Sequence, residues 1–127
     1  MDAQSNNLNW FEISVSDFER AKAFYENIFN IEMPQHEMMG MKMAFFPAEP
    51  KSGKASGGIA HSMMHKPSNT GTIVYLNANP VMDGVLEKIE SAGGKVLMPK
   101  TAISPEIGYM AYFEDSEGNK IGLHSQE

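Results

Sequence analysis

The sequence predicts an α+β protein made of two tandem β-α-β-β-β modules, and three observations carry that prediction. Trp10 to Ser16 alternates with a period of two. Phe11, Ile13 and Val15 share one face, and Trp10, Glu12 and Ser14 the other, as a half-buried strand requires. From Asp17 the rhythm turns helical, with Phe18, Ala21, Phe24, Tyr25, Ile28 and Phe29 in one apolar stripe. The same strand, cap and helix return 62 residues later at Thr72 and Asn79, and Ile59 and Ile121 share that offset. A lone module of this kind leaves one sheet face bare, so pairing of two, within a chain or across a dimer, is physically expected.

In chain order, Asp17 takes the N-cap position, with Arg20 and Lys22 in the first turns. Asn30 ends the helix, and Ile31-Glu32-Met33 before Pro34 reads as a short extended segment. His36 to Gly40 reads as a turn. Met41 to Phe46 is a strand with Met41, Met43 and Phe45 on one face, and Pro47 to Ser56 is a polar loop. Gly57 to Met63 is the closing strand of the first module, and His65 to Gly71 is a linker. In the second module Thr72 to Asn77 is a strand. Asn79-Pro80 then opens a helix as N-cap and first helical residue, and Gly93-Gly94 closes it. Lys95 to Met98 is a strand, Pro99 to Gly108 a loop, Tyr109 to Glu114 a strand, Asp115 to Asn119 a turn, and Lys120 to Ser125 the last strand. The reading is one domain over 1–127, with module one at about 8–64, the linker at about 65–71 and module two at about 72–125.

Composition narrows the function. Hydrophobic residues are 42% and charged residues 20% of the 127, the balance of a folded globular chain. A net charge of -6 without any basic cluster argues against nucleic acid and anionic membrane as partners. No cysteine is present, which removes disulfides, thiolate metal sites and a Cys nucleophile. The 11 methionines read as filling for an irregular core. MDAQSNNLN has neither the basic region nor the apolar run of a signal peptide, and no stretch reaches membrane length, so a cytoplasmic location is expected.

WFEISVSDFERAKAFYENIFNIEM, with AGGKVLMPK and GYMAYFEDSEGNKIGLHS, resembles the vicinal oxygen chelate superfamily over nearly the whole chain. That group contains glyoxalase I, the bleomycin-resistance proteins and the extradiol dioxygenases. The likeness rests on V-x-D-x-x-R-A-x-x-F-Y at Val15, Asp17, Arg20, Ala21, Phe24 and Tyr25. It rests equally on D-x-x-G-N-x-I-x-L at Asp115, Gly118, Asn119, Ile121 and Leu123. The resemblance implies βαβββ modules curling into a cup-shaped sheet around a small-molecule site, commonly in a homodimer. It also places metal ligands at four cup-facing positions, which here are Trp10, Ala60, Thr72 and Gly122. None is a His, Gln or Glu, so no cofactor is expected, and a divalent metal would need displaced ligands. A one-residue slip in the first module's closing strand would put His61 in place of Ala60.

Glu12 and His124 each lie two positions beyond a vacant ligand position, so alternation turns both toward the cup. Together they would make a general base and acid; apart, Glu12 is a buried acceptor and His124 a strand end. Trp10, Met43, Phe45, Met110 and Tyr112 would line the cup, with room left wherever Tyr112 faces Gly122. His36, His61 and His65 have no ligand spacing and read as surface or loop residues. No phosphate loop and no G-x-S-x-G frame occurs. The function expected is binding of a small organic molecule in an apolar, aromatic cup. The alternatives are a lyase, isomerase or dioxygenase-type enzyme using Glu12 and His124, with or without a displaced metal, and a structural dimerisation module with a plugged cup.

Overall fold

A computed structural model describes residues 1–127 and places the first helix, α1, at Phe18–Phe29. The Asp17 carboxylate accepts from the Arg20 amide at 3.1 Å, and Asn30 closes the helix in the left-handed conformation. Around it lie β1 (Trp10–Ser14), β2 (Gln35–Met38), β3 (Met41–Phe45) and β4 (Ser56–His61), in sheet order β1-β4-β3-β2. The second half repeats this with β5 (Tyr75–Asn77), α2 (Asp83–Ala92), β6 (Lys95–Ser104), β7 (Gly108–Glu114) and β8 (Lys120–Ser125), in order β5-β8-β7-β6. In each sheet the first strand pairs parallel to the last and the other pairings are antiparallel. The chain thus has the βαβββ succession twice. No helix is long and apolar enough to cross a membrane.

Four expectations are corrected. Gln35 to Met38 is a strand, and only Met39 and Gly40, at φ 52 and 78, make the turn. Its residues are all exposed on a sheet edge, so no hydrophobic alternation marks them. Asn79-Pro80 does not open α2. The Asn79 amide donates to Asn77 Oδ1 and its own side chain accepts from Gln126, which ties it to the strand end; the helix starts from Met82 instead. Strand β6 runs through Pro99 to Ser104, because a register shift between Met98 and Thr101 absorbs a residue that has no amide hydrogen to give. Finally, the methionines divide. Met33, Met43 and Met82 are buried, while Met38, Met39, Met63 and Met64 are exposed.

The core joins both halves. Ile13, Phe24, Ile28 and Ile59 from the first pack in one cluster with Ile89, Phe113, Ile121 and Leu123 from the second. Phe24 and Phe113 stand with ring centroids 6.0 Å apart. Gly94 permits this approach, since a Cβ there would lie 2.8 Å from the Phe24 ring and 2.6 Å from the Glu114 carbonyl.

The polar join lies in the turn between β7 and β8. Tyr25 Oη donates to the buried Asp115 carboxylate at 2.6 Å, and Asn119 Nδ2 donates to it at 2.9 Å. Burial raises the Asp115 pKa against those hydrogen bonds, and burial beside Asp115 raises that of Tyr25 well above normal. Glu117 reaches the start of α1, accepting from the Ser16 and Asp17 amides at 3.0 and 2.7 Å and from Arg20 Nε at 2.8 Å. Burial alone would raise Glu117, but Arg20 and the Asp17 amide outweigh it and hold the carboxyl at about 2.

A carboxyl held at about 2 rather than 4.5 contributes about 3 kcal/mol of stability by linkage, present above the ordinary value and lost as pH falls through it toward 2. Asp115, raised, works in the opposite sense and offsets part of this. Urea unfolding at stepped pH should show the wild-type free energy falling between pH ~5 and ~2, with a clearly shallower fall in Glu117→Gln. Parallel acid limbs in the two proteins would remove Glu117 as the acid-sensitive join.

Candidate functional site

Each sheet packs one face on the helices and turns the other away. In the first, Glu12 pairs with Gly58 and Gly58 with Phe45, while Ser14 pairs with Ala60 and Ala60 with Met43. Trp10, Glu12, Met43 and Phe45 therefore share the free face, as alternation predicts. The Trp10 and Phe45 rings meet edge to face at 5.4 Å, and His36 lies 5.8 Å from Phe45. Trp10 is 41% exposed, whereas Met43 is buried.

Glu12 is held at both oxygens. Trp10 Nε1 donates to its Oε2 at 3.1 Å, and His65 Nε2 donates to its Oε1 at 2.8 Å. On the other side of the imidazole, the Ser62 hydroxyl donates to His65 Nδ1 at 2.6 Å. The His65 hydrogen bond is the main reason the Glu12 pKa is lowered, against a smaller opposing effect of burial. So His65, expected as a loop residue, is the imidazole that meets Glu12. The segment after β4 turns back over the free face and brings it there. The only sequence signal is the short spacing of Ser62 and His65 just beyond a strand end, which fits a turn.

His124 is not brought to Glu12. It lies in the other sheet, pairs with Met110 and Asn77, and donates from Nε2 to the Ile107 carbonyl at 2.6 Å. No hydrogen bond or ion pair joins the two. The free face of the second sheet is phenolic. Tyr112 pairs with Gly122 and Gly122 with Tyr75, and the two hydroxyls hydrogen-bond to each other over the glycine. A Cβ at Gly122 would lie 2.6 Å from the Tyr75 ring, so the room expected beside Tyr112 is filled by Tyr75. Lys120 Nζ lies 4.6 Å over the Tyr112 ring. The Tyr112 hydrogen bond, with some burial, pushes Tyr75 up to about 12.

The four positions that would hold a metal are now placed. Ala60 is buried against Met43, and His61 points elsewhere, its Nδ1 donating to the Val15 carbonyl at 3.0 Å. The feared slip does not occur in the first module. It occurs in the second, where Tyr75, not Leu76, pairs with Gly122, so the 62-residue offset fails by one at β5. Thr72 lies before that strand, exposed, and borders the small polar cavity beside Glu12. No group of three or more His, Asp or Glu residues is placed to hold a metal ion. A polar cavity of about 150 Å³ opens between the modules beside Glu12, lined also by Ser14, Lys66, Asn119 and Lys120. A wider groove of about 440 Å³ lies at the β2–β3 turn, away from Glu12 and both aromatic clusters.

Comparison with known proteins agrees with this architecture. The profile of the Glyoxalase/Bleomycin resistance protein/Dioxygenase superfamily matches residues 7–123. "Putative glyoxylase CFP32" of Mycobacterium tuberculosis is 28% identical over 117 residues, which are 91% of this chain and 44% of that protein. The chain thus spans under half the length of the curated relatives it matches. Glyoxalase I of Zea mays, as its E144Q mutant, superposes with TM-score 0.70 at 19% identity, over 93% of this chain and 46% of that one. TnmS3, an antibiotic-binding protein from Streptomyces sp. CB03234, superposes with TM-score 0.66 at 22% identity, over 99% and 100% of the two chains.

Two outcomes test the geometry. Trp10 is the one tryptophan and bonds Glu12, so its fluorescence should titrate with a midpoint below the ordinary carboxylate value, moving up toward it in His65→Gln. An unmoved midpoint would break the link between His65 and Glu12. Gly122→Ala should displace the Tyr75 ring and bring its phenol from about 12 back toward 10, read by ultraviolet absorbance in alkali.

Proposed function

The chain belongs to the Glyoxalase/Bleomycin resistance protein/Dioxygenase superfamily, and within it we propose a protein that binds a small, flat, apolar organic molecule. The observation that carries this reading is the pair of aromatic free faces, Trp10 with Phe45 and Tyr75 with Tyr112. Large aromatic side chains left open to solvent on a sheet face are the material of ligand sites. Trp10 and Tyr75 are 41% and 46% exposed, which speaks against a cup plugged by its own side chains. That TnmS3 binds an antibiotic supports the same class of ligand here. A second copy covering these faces would close the site, so a homodimer is part of the proposal.

The residues at hand do not fit the metal of the metal-dependent relatives. An indole N–H, a methyl group and a bare glycine offer no lone pair, and the neutral Thr72 hydroxyl is not the imidazole or carboxylate such a site uses. Glu12 and His65 are two donors where a catalytic site needs three. No step is therefore routed through a metal.

A second reading, a lyase or isomerase, is favoured by the Glu12–His65 contact at 2.8 Å. The acid-base pair would then be Glu12 with His65 in place of His124. Trp10 fluorescence and thermal unfolding, with a panel of anthraquinone, naphthol and indole compounds, test the binding reading. At least one should quench saturably and raise the melting temperature, with Phe45→Ala or Tyr112→Ala weakening it about tenfold, as the loss of an aromatic contact predicts. No saturable response from any class would defeat this reading.

A further inference from the structure

We propose that Ser62, His65 and Glu12 form a nucleophilic array that cleaves small activated carboxylic esters. This activity is separate from ligand binding on the aromatic faces and does not depend on it. The array is continuous: Ser62 Oγ lies 2.6 Å from His65 Nδ1, and His65 Nε2 lies 2.8 Å from Glu12 Oε1. The carboxylate only accepts, so Nε2 carries the hydrogen and Nδ1 of the neutral ring accepts from the serine. A serine with a base behind it, and a carboxylate orienting the base, is the arrangement that activates a hydroxyl. Here the serine faces Nδ1 rather than Nε2, and the chemistry is indifferent to that exchange because each nitrogen has the role it needs.

The parts are fixed rather than loose. The Met64 amide donates to Ser62 Oγ at 3.1 Å, and the His65 amide donates to the Ser62 carbonyl at 3.2 Å, which sets the turn. Trp10 holds the second oxygen of Glu12. The His65 side chain is 13% exposed, so little water competes for the relay. The Met63 amide, next after the serine, makes no hydrogen bond within the chain and can donate to an oxyanion. Met63 and Met64 leave exposed apolar surface on the same turn for a short acyl group.

In the reaction Ser62 Oγ attacks the ester carbonyl carbon, the new C–O bond forming as the π pair moves to the carbonyl oxygen. The hydroxyl proton passes to His65 Nδ1, and Glu12 holds the resulting imidazolium. Collapse restores the carbonyl and breaks the bond to the alcohol oxygen, which leaves with the proton from Nδ1. Water repeats the sequence on the acyl-serine, releasing the carboxylic acid and restoring the hydroxyl.

A fluorophosphonate probe followed by peptide mass spectrometry, with 4-nitrophenyl acetate as substrate, tests this on the intact chain. The expected result is an adduct on Ser62 that is absent in Ser62→Ala, with labelling about a hundredfold slower in His65→Gln. Glu12 acts through His65, so Glu12→Gln should lower kcat with KM unchanged and the melting temperature held. No adduct on wild-type Ser62, or undiminished labelling in His65→Gln, would overturn the proposal whether or not the aromatic faces bind a ligand.

Discussion

The structure hangs on the turn that carries Asp115, Glu117 and Asn119. Four donors converge on the Asp115 carboxylate: Tyr25 Oη, Asn119 Nδ2, and the amides of Glu117 and Asn119. Removing it would strand several buried donors at about 1–3 kcal/mol each. Asn119 passes the constraint outward, donating to the Ser14 carbonyl at 2.7 Å and accepting from the Ser68 amide at 2.9 Å. One turn thus fixes the end of β1, the start of α1 through Glu117, and the chain between the modules. His65 lies three residues before Ser68 on that held segment. The imidazole stands over Glu12 because the second module pins the strand of chain that carries it.

Much of the fold was legible because its signals are periodic. The alternation of β1 and the stripe of α1 depend on burial of one face, and burial leaves a pattern in the sequence. The misreadings fall where burial leaves none. Strand β2 is a polar edge, and β6 carries Pro99 through a bulge. Asn79-Pro80 has the letters of a helix start, yet Asn79 is held by Asn77 and Gln126, a long-range tie no local reading contains.

The site divides in the same way. That Trp10, Glu12, Met43 and Phe45 share a face follows from strand alternation alone. Which imidazole Glu12 would meet did not follow. His124 was favoured because it lies on a strand, where facing can be counted. His65 lies in irregular chain beyond a strand end, where direction depends on its local bond to Ser62 and on the hold of Asn119 on the Ser68 amide three residues further on. The one-residue slip at β5 was hidden for a like reason. A repeat offset read from strand starts, caps and the isoleucines of the closing strands does not fix which residue of a short strand meets its partner.

The two free faces share a device that changes the meaning of two of the vacant positions, Trp10 and Gly122. In each, a glycine on the last strand of the module sits between two larger residues in register: Glu12, Gly58, Phe45 in one, and Tyr75, Gly122, Tyr112 in the other. A Cβ at Gly58 would lie 3.2 Å from the Phe45 ring and 2.4 Å from the Ala44 carbonyl, and one at Gly122 would strike Tyr75. The Ala44 carbonyl at Gly58 and the Tyr75 ring at Gly122 leave no space for a side chain. Trp10 likewise is occupied, since its indole N–H orients Glu12. These are positions committed to seating rings and a carboxylate, and refilling one with a ligating residue would dismantle the surface beside it.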